Sequence, residues 1–232
     1  MAGDAMKIAK LAQMINAEKK SYQIAGTLTN LGQVNINDSG ALCIDITPLI
    51  TQGSGTDQRT GASFKLHSAL YQFQFNQMSS ATLKNRVCIE FWVNKGQALG
   101  TAKLLEYTHG TSTFSGVTDI NSPRNQDRFA DFQLLRRVYR TIDADSISGD
   151  VTNMTFDIPI KFNRGKGHHV RLVSSLANNA PLDVLNGQMY MTIRVANGNA
   201  STTTVSTKDI PITAINTGLQ VRFAYRTWFY DN

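Results

Sequence analysis

Apolar residues alternate with polar or small residues along most of this chain, and this period of two constrains the fold more than any other feature. Side chains that alternate in this way lie on one face of a β-strand. The clearest runs span 34–36, 42–46, 64–70, 71–75, 87–93, 154–162, 189–195 and 221–229. We therefore expect eight or more strands in an all-β fold.

The apolar phase changes between the runs 64–70 and 71–75. Even-numbered positions from Phe64 to Leu70 share one face, whereas the odd-numbered positions from Tyr71 to Phe75 carry the apolar residues after that. Such a change predicts a β-bulge, or a strand that changes its buried face.

Only the N-terminal segment has helical spacing. Asp4 can cap a helix, and the apolar stripe after it consists of Ile8, Leu11, Ala12 and Ile15. Lysines occupy much of the remaining surface, so the helix is cationic and amphipathic. We divide the chain into a basic N-terminal helical arm, residues 1–22, and one β-domain, residues 23–232.

The connections between the predicted strands are long and uneven, for example residues 110–126 and 196–217. Such connections favour a double-sheet jelly roll over an up-and-down barrel or a propeller. The predicted fold class is all-β: a single eight-stranded jelly roll of two packed antiparallel sheets, with a short N-terminal amphipathic helix.

The chain carries a net charge of +6, which favours a polyanionic partner, although a mildly basic soluble protein fits this charge equally well. Cys43 and Cys88 each lie in an apolar run, so we expect buried free thiols in a reducing compartment instead of a disulfide. No apolar run approaches the roughly 18 residues of a membrane span, and Lys7 and Lys10 interrupt any signal-peptide core. We expect no membrane association and a place of action inside a cell.

The residue patterns of several enzyme classes are missing from the sequence. The cupin H-x-H motif with its downstream Glu is absent, as is G-x-S-x-G, and residues 163–167 lack the spacing of a phosphate loop. We interpret His168 and His169 as a surface pair in preference to a metal site. We predict that the protein is not an enzyme and has no cofactor. The acidic segment 143–150 is compatible with inter-subunit calcium, but we favour a solvated acidic turn.

Four short segments carry a family resemblance through their order along the chain. They are Met14–Asn16, the pair Leu49–Gly53 and Asp57–Gly61, Arg86–Val93, and Asn121–Phe129. The second is the most specific, because I-T-Q-G precedes Q-R-T-G and then a strand. In this order the segments resemble the satellite tobacco necrosis virus-like family of coat proteins, which includes those of small circular single-stranded DNA viruses.

This resemblance implies a capsid protein whose identical copies form the smallest icosahedral (T=1) shell and package single-stranded DNA or RNA. It implies that the N-terminal helix points inward and contacts its neighbours and the genome. The protein would then reside in the virion, assemble in the cytoplasm or nucleus of its host, and meet an unknown host receptor. A carbohydrate- or ligand-binding jelly roll, such as a lectin-like oligomer, is the alternative, and a cupin-type enzyme comes third.

Basic residues are our candidates for contacts with nucleic-acid phosphates, which would be made without reading sequence. The candidate set is Lys7, Lys10, Lys19, Lys20, Arg128, Arg136, Arg137 and Lys166, and Arg140, Lys161, Arg164 and Arg171 extend its second part. Members of the family carry a denser Arg-rich arm, whereas the first 20 residues here hold four lysines and no arginine. We expect Arg59 and Gly61 to shape the entry to the first core strand instead of contacting a ligand.

Overall fold

The computed structural model describes residues 19–24, 34–36, 41–77, 85–95, 130–142, 152–172, 184–197 and 219–231. The regular secondary structure of these residues consists of β-strands and one short 3-10 turn, Phe162–Gly165, so the predicted all-β class is confirmed. The strands are β1 (Lys19–Ile24), β2 (Val34–Ile36), β3 (Ala41–Asp45), β4 (Ser63–Gln77), β5 (Asn85–Asn94), β6 (Phe132–Ile142), β7 (Thr152–Lys161), β8 (His168–Leu172), β9 (Val184–Asn186), β10 (Met189–Asn197) and β11 (Leu219–Asp231).

The strands build two antiparallel sheets. In the seven-stranded sheet, the long strands β11 and β4 pair along their length at the centre. The other edge of β11 pairs with β1 and β2, and the other edge of β4 pairs with β7 and then β8, which in turn pairs with β9. The four-stranded sheet has the order β3-β10-β5-β6.

The core lies between the two sheets and is filled by alternate residues of the long strands. On β11, Val221, Phe223, Tyr225 and Phe229 are buried. Tyr71 of β4 connects the layers, because its ring centroid lies 4.7 Å from that of Phe91 in the four-stranded sheet and 5.3 Å from that of Tyr225. Burial of such large aromatic rings is the main favourable term in a core of this kind.

A β-bulge interrupts the pairing of β4 with β11. Trp228 lies opposite Ser68 while Phe229 lies opposite Leu66, so His67 is the extra residue. The buried positions of β4 therefore change from Phe64 and Leu66 to Ala69 and Tyr71. The predicted bulge is confirmed, but it lies at His67 and not after Leu70, because the small side chain of Ala69 already points into the core.

The chain start differs from the sequence-based prediction. Residues 19–22, which we assigned to the helical arm, form strand β1 together with Gln23 and Ile24. β1 covers the edge of β11 and satisfies backbone groups that β11 would otherwise leave open. Lys20 turns inward, where it is only 7% exposed. The predicted helix over the preceding residues lies outside the described part of the chain.

The loop before β4 is organised by Arg59, whose side chain is fully buried. Its Nε donates to the carbonyl of Ile50 at 2.9 Å, and its Nη1 donates to the carbonyl of Gly61. The backbone N–H of Arg59 also donates to the carbonyl of Thr51 at 2.9 Å. Arg59 therefore has the structural role that we predicted, at the entry to β4.

Candidate nucleic-acid interface

The two sheets of the sandwich differ in the accessibility of their outer faces, the faces that point away from the core. On the four-stranded sheet, the outward residues Cys88, Glu90 and Thr192 are at most 1% exposed. On the seven-stranded sheet, outward residues such as Gln72 and Arg226 are exposed. Among the described residues, the outer face of the seven-stranded sheet is thus the one that a large partner can reach more readily. We call it the cationic face, for the charges that it carries.

Six cations occupy outward positions of the seven-stranded sheet. They are Lys19 on β1, Lys65 on β4, Lys161 on β7, Arg171 on β8, and Arg222 and Arg226 on β11. The one outward carboxylate on the described strands of this sheet is Asp157. Within the described ranges, none of the six forms a salt bridge. The face is therefore strongly positive.

The strand register brings these side chains together from distant parts of the sequence. Arg226 lies opposite Gln23 of β1, and its Nε donates to Gln23 Oε1 at 2.8 Å. Lys161 lies opposite Ser68, and Lys65 lies opposite Tyr230 of β11. Neighbouring strands thus contribute charge to one continuous surface.

Two histidines are affected by the positive charge of this face. The pKa of His67 lies below its ordinary value because the ring is partly buried and because Lys19 and Lys161 repel its protonated form. The pKa of His169 is lowered by burial and then by Lys65. Such repulsion between like charges is relieved when a polyanion binds.

Aromatic rings lie among the cations. Trp228, on an outward position of β11, is half-buried, and the Lys19 ammonium lies 5.9 Å from the centroid of its ring. Tyr230 meets His67 edge-to-face, with 5.6 Å between ring centroids. Proteins that bind single-stranded nucleic acid combine cations for the backbone with aromatic rings for the bases, as this face does.

Lys19 and Lys166 are exposed members of the set that we predicted to bind nucleic acid. Lys19 lies on the cationic face itself, and Lys166 lies in the turn after Lys161 and the 3-10 segment. Lys20 is different, since its Nζ lies 2.6 Å from Asp231 Oδ2 and donates to the carbonyl of Gln58 at 3.1 Å. Burial raises the pKa of Asp231, but hydrogen bonds from Lys20 and Thr60 outweigh it and hold that pKa below its ordinary value. Lys20 therefore stabilises the end of β11.

The two predicted arginines of β6 also contact the protein itself. Arg137 Nε lies 2.6 Å from Glu90 Oε1, and Arg136 Nη1 donates to the carbonyl of Pro159 across the edge between the sheets. Neither lies on the cationic face, and nor does Arg140, whose guanidinium lies 5.1 Å from the ring centroid of the core-facing Phe156. Lys7, Lys10 and Arg128 are outside the described residues, so their assignment stays a prediction.

Lys65, Arg222 and Arg226 were not predicted from the sequence. The signal was present, because Arg222 and Arg226 share the even-numbered phase of a run whose odd positions are apolar. The sequence pattern does not indicate which strands lie beside β11. It therefore does not predict that these arginines share a face with Lys19 and Lys161.

Cys88 and His168, which we also considered in the sequence, contact other residues of the protein. Cys88 is a buried free thiol; burial raises its pKa, and Arg194 Nη2, 3.6 Å from Sγ, partly offsets this. His168 is half-buried with Nε2 3.0 Å from the carbonyl of Gly187, so only His169 of the expected surface pair is exposed. Among the described residues, no three His, Cys, Asp or Glu side chains cluster as metal ligands. The acidic segment 143–150 and the side chain of Cys43 lie outside the described part of the chain.

The described ranges contain no helix with the length and apolar character needed to cross a membrane. No protein-family model matches the chain, and no curated protein matches it either.

Proposed function

We propose that this chain is a viral capsid subunit, a jelly roll that self-assembles into a small icosahedral (T=1) shell and packages single-stranded nucleic acid. The observation that carries the proposal is the cationic face: six cations against one carboxylate, interleaved with aromatic rings on the more accessible side of the sandwich. Its partners are other copies of itself, a single-stranded DNA or RNA genome and a host receptor, and its location is the virion.

The strand order supports the jelly roll. We number eight of the strands from one to eight in chain order: β1, β3, β4, β5, β6, β7, β10 and β11. One then pairs with eight, two with seven, three with six and four with five, as in a single long hairpin. Rolling that hairpin also pairs three with eight and four with seven, which gives the sheets 1-8-3-6 and 2-7-4-5. Two Greek keys joined in this way make the architecture that viral capsid and lectin domains use.

The charge of the face supports nucleic acid over a neutral sugar. Cations that neutralise phosphates release condensed counterions, so the affinity falls with salt by a log–log slope of about 0.7 for each contact with a single strand. A site for a neutral sugar gains nothing from six cations on one face. The resemblance of four ordered segments to a coat-protein family points the same way.

Size-exclusion chromatography of the full chain, with light scattering and absorbance at two wavelengths, tests the proposal. We expect a particle in the megadalton range whose absorbance shows nuclease-protected nucleic acid. A trimer or monomer without nucleic acid would contradict the proposal and favour the lectin-like alternative.

A further inference from the structure

A hollow of about 300 Å³ lies beside Trp228 on the cationic face. Its walls come from β1, β4 and β11. Leu70 and Ala224 give it apolar surface, Gln23 and Gln72 add amide groups, and Arg226 adds a guanidinium. Ala224 is small, which leaves open space between its larger neighbours. The volume is at the lower end of the range for pockets that hold small organic ligands.

We propose that this hollow holds one unpaired nucleobase, stacked on Trp228, with Arg226 contacting the adjoining phosphate. This inference rests on the proposed function and adds to it a contact with bases. An indole ring stacks on any base, and the amide of Gln72 offers both a donor and an acceptor to a base edge. The contact would therefore tolerate any sequence but would require an unpaired base.

A second hollow on the same face favours a polymer over a single small ligand. It measures about 580 Å³, shares Gln72 and Ala224 with the first, and is lined by Arg222 and also by Asp157. The Nε of Arg222 is buried and has no hydrogen-bond partner among the described residues. Arg222 and Arg226 are four strand residues apart, or about 13 Å. Two neighbouring hollows, each with its arginine, suit successive units of a polyanion.

Tryptophan fluorescence reports on this contact directly, because the chain has only two tryptophans. The other one, Trp92, is 2% exposed and lies in the four-stranded sheet, so a Trp92→Phe protein isolates the signal of Trp228. The probes are an oligothymidylate and an abasic oligonucleotide of the same length, added to full-length protein that has been stripped of nucleic acid. We expect the oligothymidylate to quench Trp228 and the abasic strand to leave its emission unchanged.

Affinities provide the second readout. Trp228→Ala should weaken binding of the oligothymidylate roughly 5- to 150-fold, the range for one base stacked on an aromatic ring. It should leave the affinity for the abasic strand unchanged, and Trp228→Phe should retain most of the oligothymidylate affinity. Unchanged thermal unfolding of both variants shows that the sheet is intact.

The outcomes separate this inference from the proposed function. If both strands bind equally well and Trp228→Ala has no effect, the base contact is wrong while nucleic-acid binding stands. If neither strand binds, the proposed function and the inference both fail. Quenching by a neutral oligosaccharide, without binding of either strand, would overturn both in favour of the lectin-like alternative.

Discussion

At the scale of single residues, His67 is the best reporter of the cationic face. Its ring nitrogen Nδ1 lies 3.1 Å from Ser68 Oγ, and burial and the charges of Lys19 and Lys161 lower its pKa. The unfolded chain, with an ordinary His pKa of about 6.5, binds the proton more readily. The folded state therefore loses stability at this residue as the pH falls below about 6.5.

Binding of a nucleic acid should raise the pKa of His67, because phosphates neutralise the two lysines and favour the imidazolium. The affinity should then increase as the pH falls through the interval between the free and bound pKa values. An NMR titration of the histidine ring protons, with His67→Asn for assignment, measures both values.

His168 serves as the internal control of that titration. Its pKa is also lowered by burial, but its ring contacts the carbonyl of Gly187, and it shares the inward phase of Val170 on β8. Its pKa should change much less than that of His67 when oligonucleotide is added. An unchanged pKa of His67 at saturating oligonucleotide would show that the lysines around it do not bind phosphates.

At the scale of strands, a buried ionic cluster joins β5, β6 and β10. Glu90 of β5 is fully buried, and its carboxylate lies 2.6 Å from Arg137 Nε and 2.9 Å from Arg194 Nη2. Thr192 donates to the same carboxylate at 3.1 Å. Removing one partner from a buried charge is costly, because the remaining charge has lost its compensation.

Arg137→Gln should therefore lower the free energy of unfolding by about 1–3 kcal/mol while leaving oligonucleotide affinity unchanged. Arg226→Gln, on the cationic face, should lower the oligonucleotide affinity and leave the free energy of unfolding unchanged. Urea unfolding and fluorescence anisotropy with a labelled oligothymidylate measure the two quantities. If Arg137→Gln weakened binding as much as Arg226→Gln with no loss of stability, the assignment of Arg137 to a structural role would be wrong.

The alternation of apolar residues predicted seven of the eleven described strands, β2 to β5, β7, β10 and β11, and the phase change in β4 predicted its bulge. It missed β1, β6, β8 and β9, because β8 and β9 are short and a register shift interrupts the alternation in β6. The same alternation placed Glu90 on an outward position of β5, but its burial depends on Arg137 and Arg194, which are distant in sequence. The helical arm was extended too far, because Tyr22 fits the apolar stripe of a helix, and Lys20 its polar surface, as readily as both fit a strand paired to β11. The burial of Glu90 and the strand at residues 19–24 both depend on pairing between distant segments, and the pattern within one β-strand does not encode that pairing.

At the scale of the whole molecule, the two sheets present different outer faces. The outward side chains at the centre of the four-stranded sheet are buried, whereas the other outer face is accessible, cationic and aromatic. In a closed shell of identical copies, contacts between subunits need surface that does not face the packaged polymer. We therefore expect the cationic face to point toward the interior.

The most direct test of a packaging role for the cationic face is the nucleic-acid content of assembled particles, measured by absorbance at two wavelengths and by light scattering. The double variant Arg222→Gln and Arg226→Gln neutralises two arginines of the face. Its matched control is Arg86→Gln and Arg140→Gln, which removes two exposed arginines of β5 and β6. We predict particles of unchanged size with less nucleic acid in the first variant only. Equal nucleic-acid content in both variants and the unmodified protein would contradict the claim that the cationic face binds the packaged strand.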